Sequence, residues 1–323
     1  MADHEYPSEL RPLAAALPRR DGDGVVFTVA QRDIRVDGDA ETVERMISLC
    51  DGRHTLSEIA EALDDADVEG IDELARTLVA HGALVDCTQA YRIFHWQSST
   101  ESGYFREPDD EQLAALAAET FQPDRLEGSQ EALTPLSTAV RDIAARRASA
   151  WPQRGPRAVS FAELSSLLEA MYASEPDARR PVASGGALYP LAIHVVARTG
   201  VAPLRPGLWW YDPVASALRL VRGDRLELDD VLLDDPVSDA LLAAGGPVVF
   251  ISANLERTSR VYANRGYRWA LIEVGAVLQN AYLVAAELDV PVRAIGGFLD
   301  ERTHAFLELP DHVRPMLAVL LGS

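Results

Sequence analysis

The stretch from Arg268 to Leu288 constrains the fold of this chain more than any other. Ala270-Leu271-Ile272-Glu273-Val274-Gly275-Ala276-Val277-Leu278-Gln279-Asn280 and the residues after it read as one long helix, apolar on nearly all sides. Such a helix is expected to be central and buried, wrapped by other elements. Gln279 and Asn280 interrupt its surface and are expected to find hydrogen-bond partners, because buried amides do. Glu273 reads as a buried carboxylate, paired with Arg265 or Arg268.

The elements available to wrap it lie in the same half of the chain. From residue 134 onward the pattern predicts helices at Leu136–Arg147 and at Phe161–Tyr172, the latter capped by Ser160 and Glu163. Strands follow at Ala192–Arg198, Leu208–Tyr211 and Ala217–Val221, then a helix at Val237–Ala244 and a buried strand at Val248–Ile251. Beyond the long helix come strands at Val292–Ile295 and Met316–Leu321. Helices interleaved with apolar strands make an α+β core, a mixed sheet with helices packed on it.

Residues 1–22, with Pro7, Pro12 and Pro18, read as an arm. Residues 23–96 read as a separate small domain. Val25–Val29 and Arg32–Val36 are expected strands, and Asp39 is expected to cap a helix carrying Val43, Met46 and Ile47. Thr55-Leu56-Ser57-Glu58 is a capping box opening Leu56–Leu63, and Ile71, Leu74, Ala75, Leu78 and Val79 mark a third helix ended by His81-Gly82. Ala83–Cys87 closes the domain as a strand. Two strands, three helices and a strand resemble a winged helix. The third helix carries Arg76 as its only cation, beside Asp72 and Glu73, so it lacks the basic face that phosphate contacts need. Peptide binding by strand addition suits this surface better than DNA. Residues 97–133 read as a polar linker with a short helical stretch near Gln112–Thr120.

Composition excludes several chemistries. The net charge of −20 argues against nucleic acid and anionic membrane as partners. All 30 basic residues are arginine, which removes Schiff-base, P-loop and general-base lysines from the chain. No apolar run approaches ~18–20 residues, no export signal opens the chain, and the two cysteines have no redox or metal spacing. A cytoplasmic globular protein is the expectation. The seven histidines are scattered, with no HExxH or CxxC, so no metal site is expected.

Two segments carry the candidate chemistry. In Ser184-Gly185-Gly186-Ala187-Leu188-Tyr189-Pro190 the glycines let backbone approach a flat or phosphorylated ligand, and Ser184 adds a hydroxyl. Tyr262-Ala263-Asn264-Arg265-Gly266-Tyr267-Arg268-Trp269 leads into the long helix. Ile295-Gly296-Gly297-Phe298 repeats the glycine pair at a strand end.

These blocks resemble the SagB-type dehydrogenases, flavin enzymes of the nitroreductase fold that oxidise azolines to azoles in ribosomally made peptides. Ser184–Pro190 is similar to that family's SGGALYP, Tyr262–Asn280 to its YGxRGYRxxLLExGHxxQN block, and Ile295–Phe298 to its IGGF. The three occur in order across residues 134–323, while residues 23–96 resemble the PqqD-like peptide-recognition domain by pattern. The resemblance implies FMN at a homodimer interface, a precursor peptide as substrate and a cyclodehydratase as partner. It implies that Arg146, Arg147 and Ser149 hold the flavin phosphate, as guanidinium and hydroxyl donors suit it. It further implies that Ser184, Gly185, Gly186, Ala187, Leu188, Gln279, Gly296 and Gly297 line the flavin.

This chain departs from the family at three positions. Many members have a Lys-Tyr pair where this chain has Val261-Tyr262; the second arginine of the phosphate motif is Trp151, and the histidine of the ExGH stretch is Ala276. Tyr262 and Arg265 are the expected catalytic residues. A phenol is a weak base near neutral pH unless a cation favours its ionised form, and Arg260 and Arg265 flank Tyr262. A flavin enzyme acting on another peptide modification, and a non-catalytic peptide-binding partner, are the two alternatives.

Overall fold

The computed structural model describes residues 10–29, 32–63, 68–89, 91, 94, 95, 98, 111, 138–150, 157–175, 179–198, 201–223, 226–233, 236–243 and 245–322. The chain divides into two compact units, Met1–Trp96 and Gln97–Ser323. The expected linker at 97–133, its helical stretch and Trp151 lie outside the described residues, apart from Ser98 and Glu111.

The first unit contains β1 (Pro12–Ala14), β2 (Pro18–Asp21), β3 (Gly24–Val29), β4 (Arg32–Val36), α1 (Ala40–Leu49), α2 (Leu56–Ala62), α3 (Val68–Ala80) and β5 (Leu84–Asp86). The cap signals act as the sequence predicts. Asp39 accepts from the Glu41 N–H, and Thr55 with Glu58 forms a reciprocal capping box at α2. Val25, Phe27, Met46, Ile59, Leu78 and Leu84 form the core.

The expected arm is different in the structure. Its described part supplies β1, which pairs antiparallel with β5, and β2, which extends β3 and β4 into a three-stranded antiparallel sheet. Pro12 and Pro18 each stand first in their strands, a place where proline is tolerated in a sheet.

The second unit has α4 (Ala139–Arg146), α5 (Phe161–Tyr172), β6 (Leu191–Ala197), β7 (Gly207–Asp212), β8 (Ala217–Arg222) and α6 (Pro236–Ala243). It continues with β9 (Val248–Asn254), α7 (Leu255–Tyr262), α8 (Arg265–Leu288), β10 (Val292–Ile295), α9 (Asp300–Phe306) and β11 (Val313–Leu321). The sheet order is β10-β11-β9-β6-β7-β8, and the α+β class is as expected. Within the sheet, each described pair is antiparallel rather than mixed. Val196, Phe250, Ala318 and Leu320 on one face pack with Leu228, Val231, Phe298 and Leu307. The helices α5 and α8 pack against each other, and α8 also contacts β6, β10 and β11.

The long helix begins three residues earlier than predicted and is one-sided. It buries Tyr267, Ala270, Glu273, Val274, Val277, Ala281, Tyr282 and Ala285, while Leu271 and Ile272 are 41% and 60% exposed within the single chain. By length and composition α8 qualifies as a membrane-crossing helix, contrary to the expectation that no segment would. Its packing on α5 and the sheet, with a hydrogen-bonded carboxyl at its centre, accounts for its apolarity as a core helix. Two helices of this unit, α7 and α9, are not among those the sequence pattern predicts. The first is capped by Asn254, whose side chain accepts from the Arg257 N–H. It runs so close to α8 that a Cβ on Gly266 would lie 2.6 Å from the Thr258 carbonyl carbon, so only glycine fits there.

Candidate active site

The paired-glycine loop enters β6 after a single tight turn over Gly185–Ala187. Gly186, Ala187 and Tyr189 have φ of 62°, 52° and 46°, so three of four consecutive residues are left-handed, two of them with side chains. The glycines are needed for close approach, but the approach is to this chain's own aromatic residues. A Cβ on Gly185 would stand 3.1 Å from Trp269, and one on Gly186 2.7 Å from the Tyr262 Oη. The Tyr262 and Trp269 ring centroids are 6.2 Å apart. Arg257 Nε donates to the Leu188 carbonyl and fixes the far side of the turn.

Beneath the loop, Glu273 is 1% exposed and accepts from the Tyr172 hydroxyl at 2.6 Å. The Ser184 hydroxyl and the Arg180 and Arg257 cations also act on it, each favouring its ionised form. The expected pairing with Arg265 or Arg268 is therefore replaced by the Tyr172 hydroxyl. Neither arginine is three or four residues from Glu273 on the helix, the only spacings that face. Both are exposed. Burial raises the Glu273 carboxyl above its ordinary range, and burial beside that carboxyl pushes the Tyr172 phenol up. The Arg180 guanidinium carbon lies 4.0 Å from the Tyr172 ring centroid and 4.9 Å from that of Tyr189. Asn280 has the partner its place predicts, donating to the Ala170 carbonyl at 2.8 Å. Gln279 lies on the exposed side of α8, so its amide faces solvent rather than a buried acceptor.

A second cluster surrounds Tyr282. Its hydroxyl is 3.0 Å from the Ser149 Oγ and accepts from the Ala294 N–H at 3.2 Å, while the Arg147 guanidinium lies 5.3 Å from its ring. The Ala150 N–H donates to the Val292 carbonyl at 2.8 Å, so the loop after α4 is sewn to β10. Beside it is a cleft of about 560 Å³ lined by Arg146, Ser149, Arg157, Ala286, Asp289 and Val292, among others. Arg157, missed in the sequence, is held at 2.6 Å by Glu163, the same carboxylate that closes the α5 capping box.

The expected site residues thus fall into groups. Arg146, Arg147 and Ser149 gather at the Tyr282 end of α8; Ser184 to Leu188 gather with Tyr262 at the Trp269 end. Nine residues separate Glu273 from Tyr282, roughly 14 Å along a helix. Gly296 and Gly297 follow β10, where the Leu233 N–H donates to the Gly297 carbonyl at 3.1 Å. Arg265 is exposed on the first turn of α8, and Arg260 reaches Glu256 at 3.8 Å. The geometry therefore gives Arg260 a carboxylate partner rather than leaving it to act on Tyr262.

Residues 154–323 match the nitroreductase family model. The protein named "putative nitroreductase MJ1384" of Methanocaldococcus jannaschii is 32% identical over 165 residues, covering 51% of this chain and 81% of that protein. The microcin B17-processing protein McbC of Escherichia coli is 28% identical over 162 residues, covering 49% of this chain and 59% of its own length. Among solved structures, the E. coli microcin synthetase McbBCD complex with truncated pro-MccB17 bound includes a chain of like fold. Its TM-score is 0.55 at 20% identity, covering 73% of this chain and 92% of that one. Fold, family model and relatives agree: this chain belongs to the nitroreductase family.

Proposed function

We propose that the chain is an FMN-dependent dehydrogenase that oxidises azoline rings to azoles in a ribosomally made, modified peptide. It acts as a homodimer, beside a cyclodehydratase, with the first unit as a winged-helix, PqqD-like recognition module for the precursor peptide. The observation that carries the flavin assignment is the donor set at the cleft: Arg146 and Arg157 with the Ser149 hydroxyl, and Arg147 alongside, opposed by Asp289. Guanidinium forks and a hydroxyl suit a phosphate dianion. The likeness to McbC supports a peptide substrate.

When bound, FMN supplies the two-electron acceptor. The chain supplies everything else. Arg146, Arg147, Ser149 and Arg157 hold the phosphate. Ser184, Gly185, Gly186, Ala187, Leu188, Gln279, Gly296 and Gly297 line the ring and its chain, with Gly185–Ala187 contributing backbone rather than side chains. Tyr262 and Arg265 are the catalytic residues: the Tyr262 Oη takes the ring proton, and Arg265 orients the peptide. The apolar side chains of Leu271 and Ile272 support a second copy of the chain as their cover.

Val261, 59% exposed at the position where many SagB-type members carry lysine, favours a second reading, a flavin oxidation of a different peptide modification. Purified protein incubated with FMN and with thiazoline- or oxazoline-bearing peptides separates the two. Loss of two hydrogens per ring supports azoline oxidation, and flavin reduction without ring oxidation supports the second reading. Protein that stays colourless after FMN and desalting overturns both in favour of a peptide-binding partner. Unchanged turnover in Tyr262→Phe removes Tyr262 from the mechanism.

A further inference from the structure

We infer that Glu273 is a positioning residue: its carboxyl, acting through Ser184 and Tyr172, locks the paired-glycine loop in its left-handed shape. The Tyr189 N–H donates to the Ser184 Oγ at 2.9 Å, and the Leu191 N–H donates to the Tyr172 Oη at 2.9 Å. Each hydroxyl oxygen thus takes an amide hydrogen and has its own hydrogen to give: Tyr172 gives it to Glu273 at 2.6 Å, and the Ser184 hydroxyl acts on the same carboxyl, favouring its ionised form. One carboxyl on α8 therefore holds two backbone amides that flank the entry to β6, through one hydroxyl from the loop and one from α5.

The lock has something to hold. Ala187 and Tyr189 are non-glycine residues in left-handed backbone, a conformation that persists where the surroundings over-determine it. Arg180 closes the outer side, its guanidinium against the rings of Tyr172 and Tyr189 and its backbone N–H donating to the Tyr189 Oη at 3.3 Å. Glu273 is the one buried carboxylate among the described residues, and such a group is costly unless its partners are in place. The same contacts reassign Ser184: its hydroxyl oxygen is taken by the Tyr189 amide, so its service to a ligand is through the backbone it fixes.

The effect on the loop is independent of the flavin reading; the effect on flavin affinity rests on it. Glu273→Gln keeps shape and one acceptor, but its amide hydrogens oppose a hydroxyl hydrogen, so one of the two bonds is lost. Ser184→Ala removes one arm at a half-buried position and guards against a folding failure in the first variant. Hydrogen exchange on the full chain without flavin is expected to quicken at least tenfold at the Tyr189 or the Leu191 amide in Glu273→Gln, whichever arm loses its bond, and at Tyr189 in Ser184→Ala. The β9 amides are expected to exchange as in the unaltered protein. Unchanged exchange at Tyr189 and Leu191, or equal quickening in β9, overturns the inference. FMN titrated by fluorescence quenching is expected to bind at least tenfold more weakly to Glu273→Gln. A loosened loop with unaltered FMN affinity supports the lock and overturns the loop as a flavin contact.

Discussion

The Tyr262 hydroxyl oxygen occupies the side of Gly186 where any other residue carries its Cβ, 2.7 Å from that position. Gly186 also has φ of 62°. Gly186→Ala therefore meets two obstacles, a left-handed backbone and a phenol in its path. The substitution is expected to cost about 1–2 kcal/mol of stability and to displace Tyr262. Gly185→Ala, whose φ is ordinary and whose Cβ would lie 3.1 Å from Trp269, is expected to cost less. Urea midpoints of the two variants check the order; equal midpoints overturn it.

The elements legible in the sequence were those with local signals. The capping boxes at Thr55 and Ser160 and the strand runs at Val25 and Val248 specify themselves within a few residues. Helix α7 escaped because it buries only Leu255 and Thr258, too few for a periodic pattern, although Asn254 marks its start. At the site, the motifs were legible and the contacts were not. Tyr172 and Glu273 meet across 101 residues of chain, and no spacing rule reports that distance. Gln279 failed for a related reason: the helix is apolar almost all round, so composition could not say which side faces the core.

At the other end of α8, Tyr282 joins the loop bearing Arg147 and Ser149 to β10. Arg147→Ala removes a charge-assisted donor from the proposed phosphate site. It is expected to weaken FMN binding roughly 10- to 100-fold, about 1.5–3 kcal/mol. Tyr282→Phe keeps the ring under the guanidinium and loses two hydrogen bonds, so its expected effect is smaller and shared with stability. Flavin titrations of both, with thermal unfolding alongside, check this. FMN affinity unaltered by Arg147→Ala excludes that arginine from the phosphate site.

The exposed apolar residues of α8 and its approach carry a separate expectation. Leu271, Ile272 and Val261 are exposed, and Trp269 is 37% exposed. Apolar side chains grouped in this way mark a surface that another molecule covers. Ile272→Arg places a charge at 60% exposure, where a lone chain tolerates it and an apolar interface does not. Sedimentation is expected to show a dimer for the unaltered protein and a monomer for the variant. A variant that remains dimeric moves the interface elsewhere.

His194 sets an acid limit on the second unit. It is 7% exposed at the centre of the sheet, opposite Trp210 on β7 and Phe250 on β9, and its Nδ1 has no hydrogen-bond partner. Burial disfavours the imidazolium and pushes the pKa down to about 4. The unfolded chain, with its histidine near ~6.5, then binds the proton more tightly than the folded one. Stability from this residue is fully present above ~6.5 and is lost as pH falls through about 4, a change of roughly 3 kcal/mol. His194→Leu removes the titrating group without opening a large void. Its stability is expected to stay flatter than the unaltered protein's between those limits, and the difference between the two curves isolates His194 from the carboxylates titrating below. Urea unfolding followed by tryptophan emission at a series of pH values measures it. Parallel curves would mean that the imidazole is reached by water and protonates in place.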